Sequence, residues 1–313
     1  MSFSQLKRRS PLIPLGGIVA SAHDVLPPQP THQVSVVVAS LKRDNTSWIR
    51  EQLPRSWKPS IYVVDDPKAD LTVPLNKGRE AMVYLTYIIA NYDALPPVSL
   101  FIHASRFAWH NDNPDYDSLA SLLSLNIPYI LERGYANLRC VWVLGCPAEL
   151  RPLADVNPVW EDYRKSHPPN KHEVTTKEVY KQAFGELLPG ETVPEVVGVS
   201  CCAQFAVSKE GIRRRRKEDY VRWRNWLIET PLVDEVSGRV LEYMWHIMFG
   251  QKAVFCPSAE ECYCGLYGMC NLRQCSERGC EGQYTLPKVA TLPQGWPLIG
   301  WEGEERNYSG PAL

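Results

Sequence analysis

The side chains best able to do chemistry in this chain fall in four short stretches. His103, Ser105 and His110 bring two imidazoles and a hydroxyl to one segment, with Asn111 and Asp112 beside them. An imidazole titrates near neutrality and can serve as a general base. Ser105 with a histidine base would be a nucleophile, but no G-x-S-x-G turn surrounds it. The second stretch, Asn76-Lys77-Gly78-Arg79-Glu80, leads into a run in which Met82, Leu85, Ile88, Ile89 and Tyr92 fall on one helical face. Asn76 suits an N-cap, and Gly78 leaves the backbone open to a ligand. The free N–H groups of such a helix start make an anion seat, which Lys77 and Arg79 would reinforce. The same residues also read as an ordinary capped helix with surface charges. In the third stretch Asp65-Asp66 could offer hard oxygen ligands to a divalent cation, or could simply form the turn before Pro67. In the fourth, Glu242 and His246 lie four apart, with Arg239 three before Glu242. On one helix they would share a face as an acid/base or recognition pair, or as a plain ion pair. Glu242 could also seat a guanidinium.

A fifth feature is charge alone. Arg213, Arg214, Arg215, Arg216 and Lys217 are consecutive, with Tyr220, Arg222, Trp223, Arg224 and Trp226 following. Basic and aromatic residues together suit RNA phosphates and unstacked bases, although a solvated helix needs no ligand.

The elements that must position these groups are legible in part. Residues 34–39, 60–64 and 98–102 are apolar, β-branched runs that predict strands, and 138–144 predicts a fourth. Helices are expected over 46–53, 81–92, 115–125 and 175–188. Residues 195–207 read as strand-like, followed by a helix capped by Ser208 that runs through the basic stretch to Trp226. A last helix is expected over 237–249. Strands alternating with helices predict an α/β fold: a mainly parallel twisted sheet flanked by helices, with a Cys-rich C-terminal tail. Ligands of such sheets bind outside the carboxyl ends of the strands. Asp65-Asp66, His103 and the Gly78 turn should therefore open on one edge. We divide the chain into an N-terminal arm (1–33), an α/β catalytic domain (34–250) and a Cys-rich extension (251–313), with residues 147–170 irregular.

At 313 residues, with 44% hydrophobic and 22% charged content, the chain can bury its own core. A net charge of −1 means that any nucleic-acid contact comes from a local patch. No run of about 20 apolar residues predicts a membrane span. Lys7-Arg8-Arg9 followed by residues 11–22 imitates a signal peptide, but two prolines and two glycines interrupt it, so it reads as an arm and the protein as cytoplasmic. Of the ten cysteines, Cys140, Cys146, Cys201 and Cys202 read as buried thiols. The other six, Cys256 to Cys280, lack paired C-x2-C knuckles, leaving zinc, disulfides and free thiols open.

Residues 74–92, 103–112, 137–147, 202–207 and 237–250 together resemble a family of fungal hypothetical proteins that includes the arginine-containing cyclodipeptide synthases. The resemblance implies condensation of arginine with a second amino acid, both delivered as aminoacyl-tRNA, into a diketopiperazine of secondary metabolism. The partners would be arginyl-tRNA and a second charged tRNA. Aminoacyl-tRNA is an activated ester, so no cofactor and no metal is implied, and no Walker-type loop is present. The catalytic residues would be His103, His110, Glu80 and Glu242. Substrate contacts would come from Asp65, Asp66, Asn76, Gly78, Arg79, Ser105, Asn111, Asp112, Gln204 and His246, and Arg213 to Lys217 would grip the tRNA.

Asn76-Lys77-Gly78-Arg79-Glu80 is also similar to an Asn-x-Gly-Arg-acid element of some bacterial polysaccharide glycosyltransferases. That likeness implies a Rossmann-like or GT-A-like fold and a metal-dependent nucleotide-sugar glycosyltransferase, though the Asp65-Asp66 doublet is not a clean D-x-D. A third reading is an RNA-binding protein without catalysis.

Overall fold

In the computed structural model, residues 34–154, 175–288 and 291–309 are described. The arm at 1–33 and most of the irregular segment at 147–170 fall outside them.

The strands expected in the first third form because most of their residues are apolar and many are β-branched. β1 (Val34–Ser40) and β3 (Val98–His103) are buried along nearly their whole length. β2 (Trp57–Val63) lies parallel to β1 on one side, and β3 lies parallel to it on the other. Between them run α1 (Ser47–Gln52) and α2 (Ala81–Asn91). α3 (Ser118–Leu123) and α4 (Ile127–Arg133) follow. The fourth strand is not 138–144 but the shorter β4, Tyr135–Asn137. Downstream of it the backbone N–H groups of Cys140 and Val141 donate to the Asp112 carboxylate, so this apolar run is held in a loop.

Beyond α5 (Thr176–Leu187), the strand-like stretch 195–207 splits between two sheets. β5 (Gly198–Val199) pairs in parallel with a late strand, β7 (Val254–Phe255). β6 (Phe205–Ser208) inserts antiparallel between β3 and β4, giving the sheet order β2-β1-β3-β6-β4. The sheet is thus mostly parallel with one reversed strand.

The single helix expected through the basic run is two helices, α6 (Lys209–Arg213) and α7 (Lys217–Glu229). The helix expected over 237–249 is likewise two, α8 (Asp234–Glu242) and α9 (Trp245–Met248). Ser208 caps α6 as expected, accepting from the Gly211 N–H at 3.0 Å.

Period-two alternation sends the sheet's side chains into two cores. Val37, Phe101, Phe205 and Val207 pack with α2, α5, α7, α8 and α9. Val36, Val38, Leu100, Ile102 and Ala206 pack with α1, α3, α4 and α10 (Ala259–Tyr267). The result is a three-layer α/β/α sandwich.

All ten cysteines are bonded in pairs: Cys140–Cys262, Cys146–Cys256, Cys201–Cys202, Cys264–Cys270 and Cys275–Cys280. The expectation of buried free thiols is therefore corrected. Partners 122 and 110 residues apart leave no spacing signal that a sequence reading could use. Those two bonds stitch the Cys-rich segment to the body, and α10 contributes Cys262, Tyr263 and Leu266 to the second core. Among the described residues no helix is long and apolar enough to cross a membrane.

Candidate functional site

The carboxyl ends of β1, β2 and β3, the start of β6 and the end of β4 share one edge of the sheet. The expected site residues reach that edge unequally.

The 76–80 turn is a docking joint. The Gly78 N–H donates to the Asp234 carboxylate at 3.1 Å, so the chain fills the expected anion seat with its own acid. The Lys77 ammonium donates to the carbonyls of Ile228 and Thr230 at the end of α7. Arg79 pairs with Glu235 at 3.2 Å on the surface. Gly78 has a φ of +68°, and an added Cβ would meet Leu227 at 2.5 Å. Its freedom therefore serves helix packing rather than ligand approach. Asn76 is exposed and is not the N-cap, because α2 begins at Ala81 with Glu80 in the cap position.

Asp65 and Asp66 form a turn. Asp65 accepts the Lys42 N–H at 2.8 Å, and Asp66 takes the Lys42 ammonium at 3.2 Å and the Lys68 N–H at 2.9 Å. These bonds, the backbone N–H of Lys68 first, hold the Asp66 carboxyl below its ordinary range. The doublet thus already holds a cation, the chain's own lysine.

The His103 loop is ordered from within. The side-chain oxygen of Gln204 accepts the His103 N–H, and its amide donates to Asn111. Asn111 in turn donates to the carbonyls of Arg106 and Tyr116. Asp112 accepts from Cys140, Val141 and the Tyr263 hydroxyl. Gln204, Asn111 and Asp112 thus support the loop through these bonds. A cavity of about 210 Å³ beside Asp112, Ser121 and Tyr263 is lined from the α3 and α10 side. Ser105 is exposed. The His103 and His110 rings meet edge to face, with centroids 4.7 Å apart. Burial first, then the charge of Arg79, lowers His103 to about 4, against an opposing hydrogen bond to the Cys202 backbone. Burial first, then His103, holds His110 well below the usual imidazole range. Both rings are neutral at pH 7.

His246 does not continue the helix that carries Glu242, because the helix is interrupted at Tyr243 and Met244 between α8 and α9. It is fully buried, bonded to the Ala253 carbonyl, and burial lowers it to about 4. It belongs to the core.

What the edge does gather is a set of carboxylates. Glu80, half-buried at the start of α2, is raised to about 7 by burial and then by the like charge of Glu242. Glu149, which the sequence reading missed, is 4% exposed and is raised to about 7, by burial and also by Glu242, with Arg239 opposing. One Glu149 oxygen, Oε2, is buried without a hydrogen-bond partner. Glu242 accepts the Cys202 N–H at 2.9 Å and lies 3.9 Å from Arg239. An acid placed inside the apolar run Pro147-Ala148-Glu149-Leu150 was the available signal. Arg139 was missed as well: it is 2% exposed and stacks 4.0 Å over Tyr284.

The basic run lies elsewhere. β6 pairs Phe101 with Phe205 and Val98 with Ser208, so α6 leaves from the opposite edge, about 17 Å away along β3. There Arg213 donates to the carbonyls of Tyr92 and Asp93, Arg215 pairs with Glu191 at 2.6 Å, Arg216 with Asp219 at 3.9 Å, and Lys217 with Asp93 at 3.0 Å. Arg214 is exposed.

A metal, implied by the glycosyltransferase resemblance, does not fit. Among the described residues, the ligand atoms that converge are those of Cys201, Cys202 and Glu242, and the two sulfurs are bonded to each other.

A carboxyl raised by burial binds its proton more tightly in the folded state. Its contribution to stability is complete below the unfolded value of 4.5 and is lost as pH rises to about 7. Glu149→Gln is expected to stabilise the protein by about 1–3 kcal/mol at pH 8 and by little at pH 4.5. Urea unfolding at the two pH values measures this, and equal effects at both would refute the assignment.

A family model described as "Protein of unknown function (DUF3431)" matches residues 36–265. No curated protein and no solved structure matches the chain.

Proposed function

We infer the activity of this chain, which belongs to the DUF3431 family, from its strand-end edge: it is a transferase whose Glu80, Glu149 and Glu242 activate an acceptor hydroxyl or amine. The observation that carries this is two carboxyls raised to about 7 by burial and by a shared neighbour, Glu242. A base of that pKa is half ionised at neutral pH and strong enough to take a proton as the acceptor attacks. Neutral His103 and His110 can donate to, or accept from, the departing group. Arg79, whose ion pair among the described residues is with the exposed Glu235, is available to a developing negative charge.

Of the two donors implied by the sequence resemblances, a nucleotide sugar fits better than aminoacyl-tRNA. Five disulfides favour an oxidising compartment, and charged tRNA belongs to the reducing one. They also favour the secretory reading of residues 7–22 over the cytoplasmic one. The basic run meant for tRNA stands at the far edge and is largely paired. The order β2-β1-β3-β6-β4, a parallel set with one reversed strand, supports the GT-A-like likeness over a wholly parallel Rossmann-like sheet. With no metal site that fits among the described residues, the diphosphate charge falls to arginine.

Cyclodipeptide synthesis remains the second reading, for one reason: three glutamates around Arg239 would suit a substrate guanidinium. The deciding experiment incubates the oxidised protein with a panel of nucleotide sugars and with arginyl-tRNA. Nucleoside diphosphate release from one sugar donor is the expected result. An arginine diketopiperazine without such release would overturn it in favour of the second reading.

A further inference from the structure

Cys201 and Cys202 are neighbours in sequence and are bonded to each other beside the carboxylate cluster. A disulfide stabilises chiefly by removing loop entropy from the unfolded chain, and one between adjacent residues closes no loop. Cys140–Cys262 and Cys146–Cys256 close loops of 122 and 110 residues. The adjacent pair also sits in unfavourable backbone: Cys202 has a φ of +112° and Ala203 of +50°, a region that L side chains rarely adopt.

A third observation is independent. Arg139 Nη1 lies 3.1 Å from the Cys201 sulfur and 3.2 Å from that of Cys202. This guanidinium is 2% exposed and makes no ion pair among the described residues. Asp112, the acid whose charge it feels, is already bonded to two N–H groups and the Tyr263 hydroxyl. A buried cation of this kind wants an anion, and a thiolate at either sulfur would supply one.

We propose that Cys201–Cys202 is a redox-active pair, opened by small dithiols, that resets the neighbouring site. The dithiol donates two electrons and two protons, and the Cys201–Cys202 bond breaks. Two protein thiols form, and the reagent leaves as its own disulfide. One thiol then releases its proton to solvent and faces Arg139. With Cys201 and Cys202 4% and 6% exposed, the substrate class is a compact dithiol and not a docked protein. The consequence reaches the site through the main chain. The Cys202 N–H donates to Glu242, and the Cys202 backbone bonds the His103 ring. Opening the pair frees that peptide to leave its left-handed conformation, and both catalytic partners move with it.

The test is graded dithiothreitol treatment of the intact, oxidised protein, followed by alkylation and mass spectrometry. Histidine ring resonances are followed by NMR in parallel. We expect Cys201 and Cys202 to be labelled at lower dithiol than Cys140, Cys262, Cys146 and Cys256. The His103 signals should shift while those of His246 stay. Arg139→Gln should need about tenfold more dithiol for the same labelling, the loss of roughly one unit of thiol acidification. Should that buried substitution fail to fold, Cys201→Ser and Cys202→Ser serve instead, and each should show the reduced His103 spectrum without any reductant. Labelling of the adjacent pair together with or after the two long-range bonds would overturn the proposal. So would a His103 spectrum indifferent to reduction or to both serine variants.

Discussion

Glu80→Gln should fold normally and lose about 10²- to 10⁴-fold in kcat for group transfer, with KM little changed. Glutamine keeps the size and polarity of the side chain but cannot take a proton. The wild-type rate should climb as pH passes about 7, where Glu80 and Glu149 ionise. Because Glu80 and Glu242 repel one another, the climb reports the cluster and not one residue alone. Glu242→Gln removes that repulsion, so the rising limb should move to lower pH while the plateau survives in part. Steady-state kinetics across pH 5–9 separates these outcomes. A Glu80→Gln enzyme within a factor of a few of wild type, at every pH, would remove Glu80 from the chemistry.

The second large effect is on stability. Cys140→Ala with Cys262→Ala should cost about 5 kcal/mol, because the bond closes a loop of 122 residues. Cys275→Ala with Cys280→Ala, across a separation of 5, should cost only about 2 kcal/mol. Urea midpoints of the two double variants measure the difference. Equal losses would mean that loop entropy is not what the long-range bond contributes, and that its packing against Tyr263 and Leu266 matters more.

The first half of the fold was legible because its signals are local. β1 and β3 are apolar at consecutive positions, and α2 carries its apolar face within eleven residues. The rest depends on partners far away. The apolar 138–144 run is a loop because Asp112 takes its N–H groups, a contact across 28 residues. The stretch 195–207 looked like one strand because both of its pieces are apolar. Only the sheet shows that one piece pairs with Val254–Phe255 and the other with Val98–His103. The same limit governed the site. The common edge of Glu80 and His103 was readable from strand order. That Gly78 and Lys77 serve helix docking was not, since their partners Asp234 and Thr230 come more than 150 residues later. Glu149 carried a readable signal, an acid between apolar neighbours. Arg139 carried the same kind of signal, a lone charge within the apolar 138–144 run.

The placement of β6 has a consequence for how this protein is made. Tyr135–Asn137 has no neighbour in the sheet until residues 205–208 arrive between it and β3. A nascent chain that has emerged only as far as residue 200 carries β3 with one open edge, apolar on both faces. Closing the gap requires bringing together segments about 100 residues apart, a slow step in chain diffusion. During that wait the bare edge is a template for pairing with other chains. Assembly is therefore necessarily late, and truncated products ending before β6 should aggregate rather than accumulate as stable fragments.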